Sequence, residues 1–169
     1  MAAFPPLLGD KPITLILGSM PGQASLNAGQ YYAHPRNTFW FVMSRFCDFE
    51  DGIRYQDAVK AVIDKRICVW DVLLDCDRKG SLDSNIQRKT ELPNDFATFF
   101  DKYPSIRVVG FNGMAARKIF TRHFGSLIPK LSHVSWVDLP STSPAHAALN
   151  KQEKAKLWIE RLEAVELGE

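Results

Sequence analysis

The chain has 169 residues, 46% of them hydrophobic and 24% charged, with a formal net charge of +2. That length fits one domain with a substantial core, residues 1–169 as a single unit, and the composition excludes a disordered or fibrous chain. The slight positive charge is compatible with a phosphate-bearing partner, and no apolar run approaches the length of a membrane span, so no membrane partner is expected.

The predicted elements begin with a short apolar strand, Ile13–Leu17, which breaks into Gly18-Ser19-Met20-Pro21-Gly22. Two glycines and a proline in five residues predict a tight turn whose backbone N–H groups can face a ligand. A long loop follows, through Tyr31-Tyr32 and His34-Pro35-Arg36-Asn37, to a helix over Thr38–Phe46. There Phe39, Trp40, Met43 and Phe46 recur at helical spacing. Tyr55–Arg66 repeats the helical pattern, and Ile67–Leu73 forms the second strand. A polar loop, Asp75–Asn85, leads on to a helix over Asp95–Lys102. The third strand, Ile106–Gly110, turns at Asn112-Gly113 into the helix Met114–Phe124. The fourth, Val134–Leu139, ends in Pro140-Ser-Thr-Ser-Pro144 before a last helix over Leu149–Leu167. Cys47, Cys68 and Cys76 are scattered, without the spacing of a zinc or iron–sulfur site. No metal or cofactor is therefore expected, and the odd cysteine count fits a reducing compartment. The opening MAAFPPLLGDKP lacks the regions of a secretory signal.

Strands alternating with helices predict an α/β fold with a mostly parallel four-stranded sheet and helices on both faces. In such a sheet the loops after the strands collect at one edge, where ligands bind. That would join Ser19–Asn37, Asp71–Asn85, Asn112 and Ser141–His146. The collected groups are aromatics, amides, one carboxylate within an apolar strand (Asp71) and a Ser/Thr/Pro loop. They suit a flat heterocycle, stacked on its face and hydrogen-bonded along its edge. No Ser-His-Asp order, HExxH or Walker motif is present.

Gly18-Ser-Met-Pro-Gly22 with Tyr32-Ala-His-Pro-Arg-Asn-Thr-Phe-Trp40 resembles the first motif of the uracil-DNA glycosylase superfamily, most closely its hypoxanthine-DNA glycosylase branch. Pro140-Ser-Thr-Ser-Pro144 resembles the second motif, the loop that enters DNA at the lesion. Trp70-Asp71 and Arg78-Lys-Gly-Ser-Leu-Asp-Ser-Asn85 resemble the strand and loop between them. The resemblance implies a three-layer α/β/α sandwich and hydrolysis of the bond between a deaminated base and deoxyribose, hypoxanthine first. Many superfamily members carry Asp or Asn just before the motif's proline. Met20 stands there in this chain; the hypoxanthine branch similarly lacks that Asp or Asn, and is thought to use the asparagine corresponding to Asn37.

On that resemblance Asn37 orients water or donates to the leaving base, and Tyr32 stacks on it. Asp71 accepts from N1–H of hypoxanthine or N3–H of uracil, and N–H groups near Ser19 and Met20 hold the 6-oxo group. Ser141, Thr142 and Ser143 grip phosphates, with Arg78, Lys79 and Lys118 as further phosphate contacts. His146 or a neighbour fills the vacated gap. No lysine lies in the first motif, so no lyase step is expected. Plainer roles compete. Asn37 can cap a helix, Asp71 can be a carboxylate satisfied by backbone donors, and one of the two tyrosines is expected in the core. Asn112-Gly113 can be a turn only. The implied partner is DNA containing deaminated bases, bound by a monomer in the cytoplasm at the nucleoid, or in the nucleus of a eukaryote. A uracil-specific enzyme and a non-cleaving binding module are the alternatives.

Overall fold

The computed structural model describes residues 3–166. Residues 1–2 and 167–169, including the Leu167 at which the helical pattern ends, lie outside the described residues. The strands are β1 Thr14–Gly18, β2 Ile67–Asp71, β3 Leu73–Asp75, β4 Leu92–Pro93, β5 Val108–Asn112 and β6 Ser135–Leu139. Four of them form a parallel central sheet in the order β2-β1-β5-β6. The short strands β3 and β4 make an antiparallel pair apart from it. The helices are α1 Gln23–Ala28, α2 Phe39–Phe46, α3 Tyr55–Asp64, α4 Phe96–Lys102, α5 Met114–Phe124, α6 Leu127–Lys130 and α7 Lys151–Glu166.

The strands are apolar on both faces, as a covered parallel sheet requires. Leu15, Leu17, Cys68, Val109 and Phe111 point into a core closed by α4 and α5. Ile16, Ile67, Val69 and Val108 point the other way, into a core with α2 and α7. The period of two thus divides one sheet between two helical layers, giving the α/β/α sandwich. After β1 the chain goes first to β2 on one side and only later to β5 on the other. The carboxyl end of β1 is therefore a switch point, where a crevice opens.

Several boundaries differ from the sequence pattern. The second strand breaks after Asp71, because the Val72 and Leu73 N–H groups turn to donate to Gly18 and Ser19 carbonyls (2.8 and 3.0 Å). The third strand of the sheet lies two residues later than the apolar run suggests. Ile106 bonds back to Tyr103 in a turn, so Phe111 and Asn112 carry the ladder instead. Helix α7 starts at Lys151, set by a reciprocal cap. Asn150 Oδ1 accepts from the Glu153 N–H (2.8 Å), and Glu153 Oε1 accepts from the Asn150 N–H (3.0 Å).

Candidate active site

A cavity of about 400 Å³ lies at the carboxyl edge of the sheet. Its walls come from all four expected loops: Gly18–Gly22, Tyr31–Asn37, Asp71 with Ser81–Asp83, and Asn112 with Ser141–Ala145. The β1 turn brings its backbone close to the strand beside it. A Cβ on Gly18 would lie 2.6 Å from Asp71 Oδ1 and 2.7 Å from Tyr32 Oη, so only glycine fits there. Neither the Ser19 nor the Met20 N–H finds an acceptor among the described residues. The Ser19 hydroxyl, by contrast, is already bound to Asp83.

Tyr32 adopts a left-handed backbone (φ 53°), a conformation costly for a side chain of that size. Its neighbours hold it there. The Tyr31 N–H donates to Tyr55 Oη (3.1 Å), the Tyr31 carbonyl accepts from Trp40 Nε1 (2.8 Å), and the Ala33 N–H donates to Ser25 Oγ (3.1 Å). Tyr31 is the tyrosine of the pair that enters the core, its hydroxyl donating to the Pro5 carbonyl (2.9 Å). The Tyr32 ring stacks on Phe39 with centroids 4.1 Å apart, which leaves one face of the ring free of that contact.

Two polar atoms of this wall are buried without partners, Tyr32 Oη and Asp71 Oδ2. Burial, then repulsion from Asp83, pushes the Asp71 carboxyl up to about 7, with Arg78 opposing. Burial and the nearby Asp71 likewise raise the Tyr32 phenol, which stays a donor at all ordinary pH values. The backbone-satisfied reading of Asp71 does not hold, since the Asn94 amide bonds the Asp71 main-chain carbonyl and leaves the carboxyl oxygen Oδ2 bare.

Asn37 reaches the cavity and also caps: its Oδ1 accepts from the Phe39 N–H at 2.9 Å. That bond fixes the amide plane and leaves the NH2 without a partner among the described residues. The capping bond and an amide NH2 left free beside the cavity thus belong to one geometry. Asn112 is more than a turn residue. Its amide makes a two-point latch on Thr142, accepting from the N–H and donating to Oγ1, both at 2.9 Å.

Two expected DNA contacts are placed differently. Thr142 is fully buried in that latch, and its carbonyl accepts from the Thr38 N–H (3.0 Å). It holds the loop down while Ser141 and Ser143 remain partly exposed beside it. The Arg78 side chain is 6% exposed, donates to the Pro21 carbonyl and lies 3.7 Å from Asp83. It braces two loops and is not offered to solvent. Lys79, Lys118 and His146 are exposed, and none of the three lines the cavity.

Asp83 and Lys154 carry parts of this site that the sequence reading missed. Asp83 lies in a charged loop that looks solvated, and only the fold brings it to Ser19. Lys154 looks like the polar face of α7. It is 2% exposed, and its Nζ donates to the Ser143 and His146 carbonyls (3.3 and 2.7 Å), tying the loop to the helix. Among the described residues, no cluster of His, Cys, Asp or Glu is arranged to hold a metal ion.

The family model of the uracil DNA glycosylase superfamily matches residues 5–165 of this chain. A Methanosarcina barkeri protein named hypoxanthine DNA glycosylase is 37% identical over 111 residues, 65% of this chain and 69% of that protein. A Methanosarcina acetivorans protein of the same name is 32% identical over 155 residues, 90% of this chain and 92% of that protein. A solution NMR structure from Methanosarcina acetivorans, provisionally described as a uracil DNA glycosylase, superposes with a TM-score of 0.76 at 29% identity. It covers 94% of this chain and 96% of that one.

Proposed function

The chain belongs to the uracil DNA glycosylase superfamily, and from that premise we propose that it is a monofunctional DNA glycosylase hydrolysing the N-glycosidic bond of deaminated bases, hypoxanthine (deoxyinosine) preferred, in base excision repair. Both curated relatives carry the hypoxanthine name. The single observation that carries the reading is the pair of buried, unpartnered atoms, Asp71 Oδ2 and Tyr32 Oη, in the cavity wall. An unpartnered buried polar group costs about 1–3 kcal/mol. A bound base edge supplies the missing partners.

The base leaves the stack to reach the cavity. Tyr32, backed by Phe39, offers it a flat surface. Ionised Asp71 accepts from N1–H, a proton that adenine lacks, and so repels adenine N1. The free N–H groups of Ser19 and Met20 hold the 6-oxo oxygen. As the bond lengthens, the sugar gains oxocarbenium character and the base gains negative charge. The Asn37 NH2, oriented by the cap, donates to the departing base or positions the attacking water. Donors fixed in advance are typically worth about 10² to 10³ in rate each. Ser141, Ser143, Lys79 and Lys118 contact the DNA backbone, and His146 or a neighbour fills the gap the base leaves. The protein works as a single-domain monomer, with one face for DNA, in the cytoplasm at the nucleoid or in a nucleus. Among the described residues no helix is long and apolar enough to cross a membrane.

The test is base release from oligonucleotides carrying one hypoxanthine, uracil or xanthine, with alkali cleavage of abasic sites, in a chelator. Breaks at hypoxanthine that disappear with Asn37→Ala are the expected result. Breaks only at uracil replace the preferred substrate. DNA retention with no breaks anywhere leaves a binding module and overturns the enzyme.

A further inference from the structure

A second cavity, of about 260 Å³, shares Tyr31 and Tyr32 with the first as part of its wall. Its other walls include Trp40 of α2, Tyr55 of α3, and Phe49 and Asp51 from the loop between those helices. The Trp40 and Tyr55 rings stand nearly at right angles, 81° with centroids 5.4 Å apart, and so form a corner. Both are tied to one residue: Trp40 Nε1 donates to the Tyr31 carbonyl (2.8 Å), and the Tyr31 N–H donates to Tyr55 Oη (3.1 Å). The corner is therefore fixed before anything enters it. Aromatic faces attract cations, and a carboxylate beside them adds a charged hydrogen-bond partner.

The chain around this cavity is acidic. Asp48, Glu50 and Asp51 are all exposed, and none of them forms an ion pair among the described residues. The neighbouring cations are engaged elsewhere, Arg54 with Asp57, Lys60 with Asp64 and Arg45 over the Phe41 ring. A chain of net charge +2 thus carries a negative patch around an aromatic corner. Such a patch repels nucleic-acid phosphates and favours a positively charged partner. The cavity is smaller than the usual ligand site and suits a single side chain. Asp48 and Glu50 lie outside it, where they can meet further positive charge. A planar guanidinium matches the corner, because it stacks on an aromatic face while its fork meets a carboxylate. We propose that this cavity takes an arginine side chain from a basic segment of a partner protein. The occupant touches the two rings that clamp Tyr31, next to the strained Tyr32. The proposal stands whatever the first cavity takes, and its test contains no DNA.

The experiment follows the indole N–H signals of Trp40, Trp70, Trp136 and Trp158 by NMR. The full chain is titrated with a glycine-spaced arginine peptide, with the same peptide carrying neutral citrulline for arginine, and with spermidine. The arginine peptide is expected to move the Trp40 signal saturably and leave the other three in place. The citrulline peptide is expected to leave all four. Asp51→Lys, at an exposed position, is expected to weaken binding about tenfold or more by placing like charge at the site, and Asp51→Asn to weaken it less. Thermal melts of both variants confirm that they fold. A Trp40 signal that stays in place overturns the proposal. So does equal binding of the citrulline peptide, or binding that Asp51→Lys leaves unchanged. Spermidine binding as tightly as the arginine peptide overturns the choice of a protein partner in favour of a free polyamine.

Discussion

Replacing Asp71 by asparagine tests the site through both stability and activity. The carboxyl is 4% exposed, has one oxygen bare, and is pushed from 3.8 up to about 7. Its folded-state pKa is raised, the reverse of the usual carboxylate. The stability it allows is fully present below about pH 4, is lost as pH rises through 7, and is flat above that. At about 1.4 kcal/mol per pH unit, the ionised group weakens the fold by on the order of 4 kcal/mol. The replacing amide is neutral throughout, so Asp71→Asn should match the unaltered protein near pH 4 and exceed it by a few kcal/mol at pH 8. Denaturant melts of both proteins from pH 4 to 8 measure that difference, and other titrating groups cancel in it. Base reading requires the ionised form. The kcat/KM for hypoxanthine should therefore fall about tenfold per pH unit below 7, and this acid limb should vanish in the variant. A stability difference that stays constant across the range would refute the argument.

Three further substitutions separate roles that share residues. Asn37→Asp keeps the acceptor for the Phe39 N–H and removes the NH2. It should melt like the unaltered protein while base release falls about 100-fold; Asn37→Ala should also lose about 1 kcal/mol for the cap. Full activity in Asn37→Asp beside a destabilised Asn37→Ala would reduce Asn37 to a cap. Gly18→Ala puts a methyl 2.6 Å from Asp71 Oδ1 and 2.7 Å from Tyr32 Oη, so base release should be lost while circular dichroism still shows the α/β fold. Lys154→Met leaves the Ser143 and His146 carbonyls without their donor, at about 1–3 kcal/mol for each. Thermal melts should show the loss, and KM for DNA should rise more than kcat falls.

What could be read from the sequence followed from local periodicity. The unbroken apolar run through Leu15-Ile16-Leu17 marks a strand buried on both faces, the stripe of Phe39, Trp40, Met43 and Phe46 marks a helix face turned to the core, and the fold obeys both. The Gly18–Gly22 turn follows from its glycines and proline, and the collection of four loops at one edge follows from the alternation of strands with helices. Long-range partners leave no such mark. Nothing local distinguishes Arg78, which turns inward to Pro21, from Lys79, which faces solvent. Thr142 and Ser143 are equally polar in sequence. Only the Asn112 latch, 30 residues away, makes one of them buried. Lys154 reads as solvated until the 143–146 loop is laid over it.

The misread residues share a physical logic. Arg78, Asp83, Asn112, Thr142 and Lys154 all tie a loop of the site to another part of the chain. A site assembled from four loops has no rigid element of its own, and loops carry little packing to hold them. Polar side chains turned inward supply the rigidity, and each bond is directional enough to set a position. Asn37, Tyr32 and Asp71 stand on better-ordered ground, at a helix start, on a strained turn clamped on both sides, and on a strand. The division explains why a motif announces the groups proposed to meet the base while the groups that hold the loops stay hidden. It also fixes what the supporting substitutions should do. Removing a strut such as Lys154 loosens DNA binding, and removing a group that meets the base lowers the rate of bond cleavage. Lys154→Met and Asn37→Asp should therefore fail in different kinetic constants, KM and kcat. If both lowered kcat alone, the loops would not be a separable scaffold.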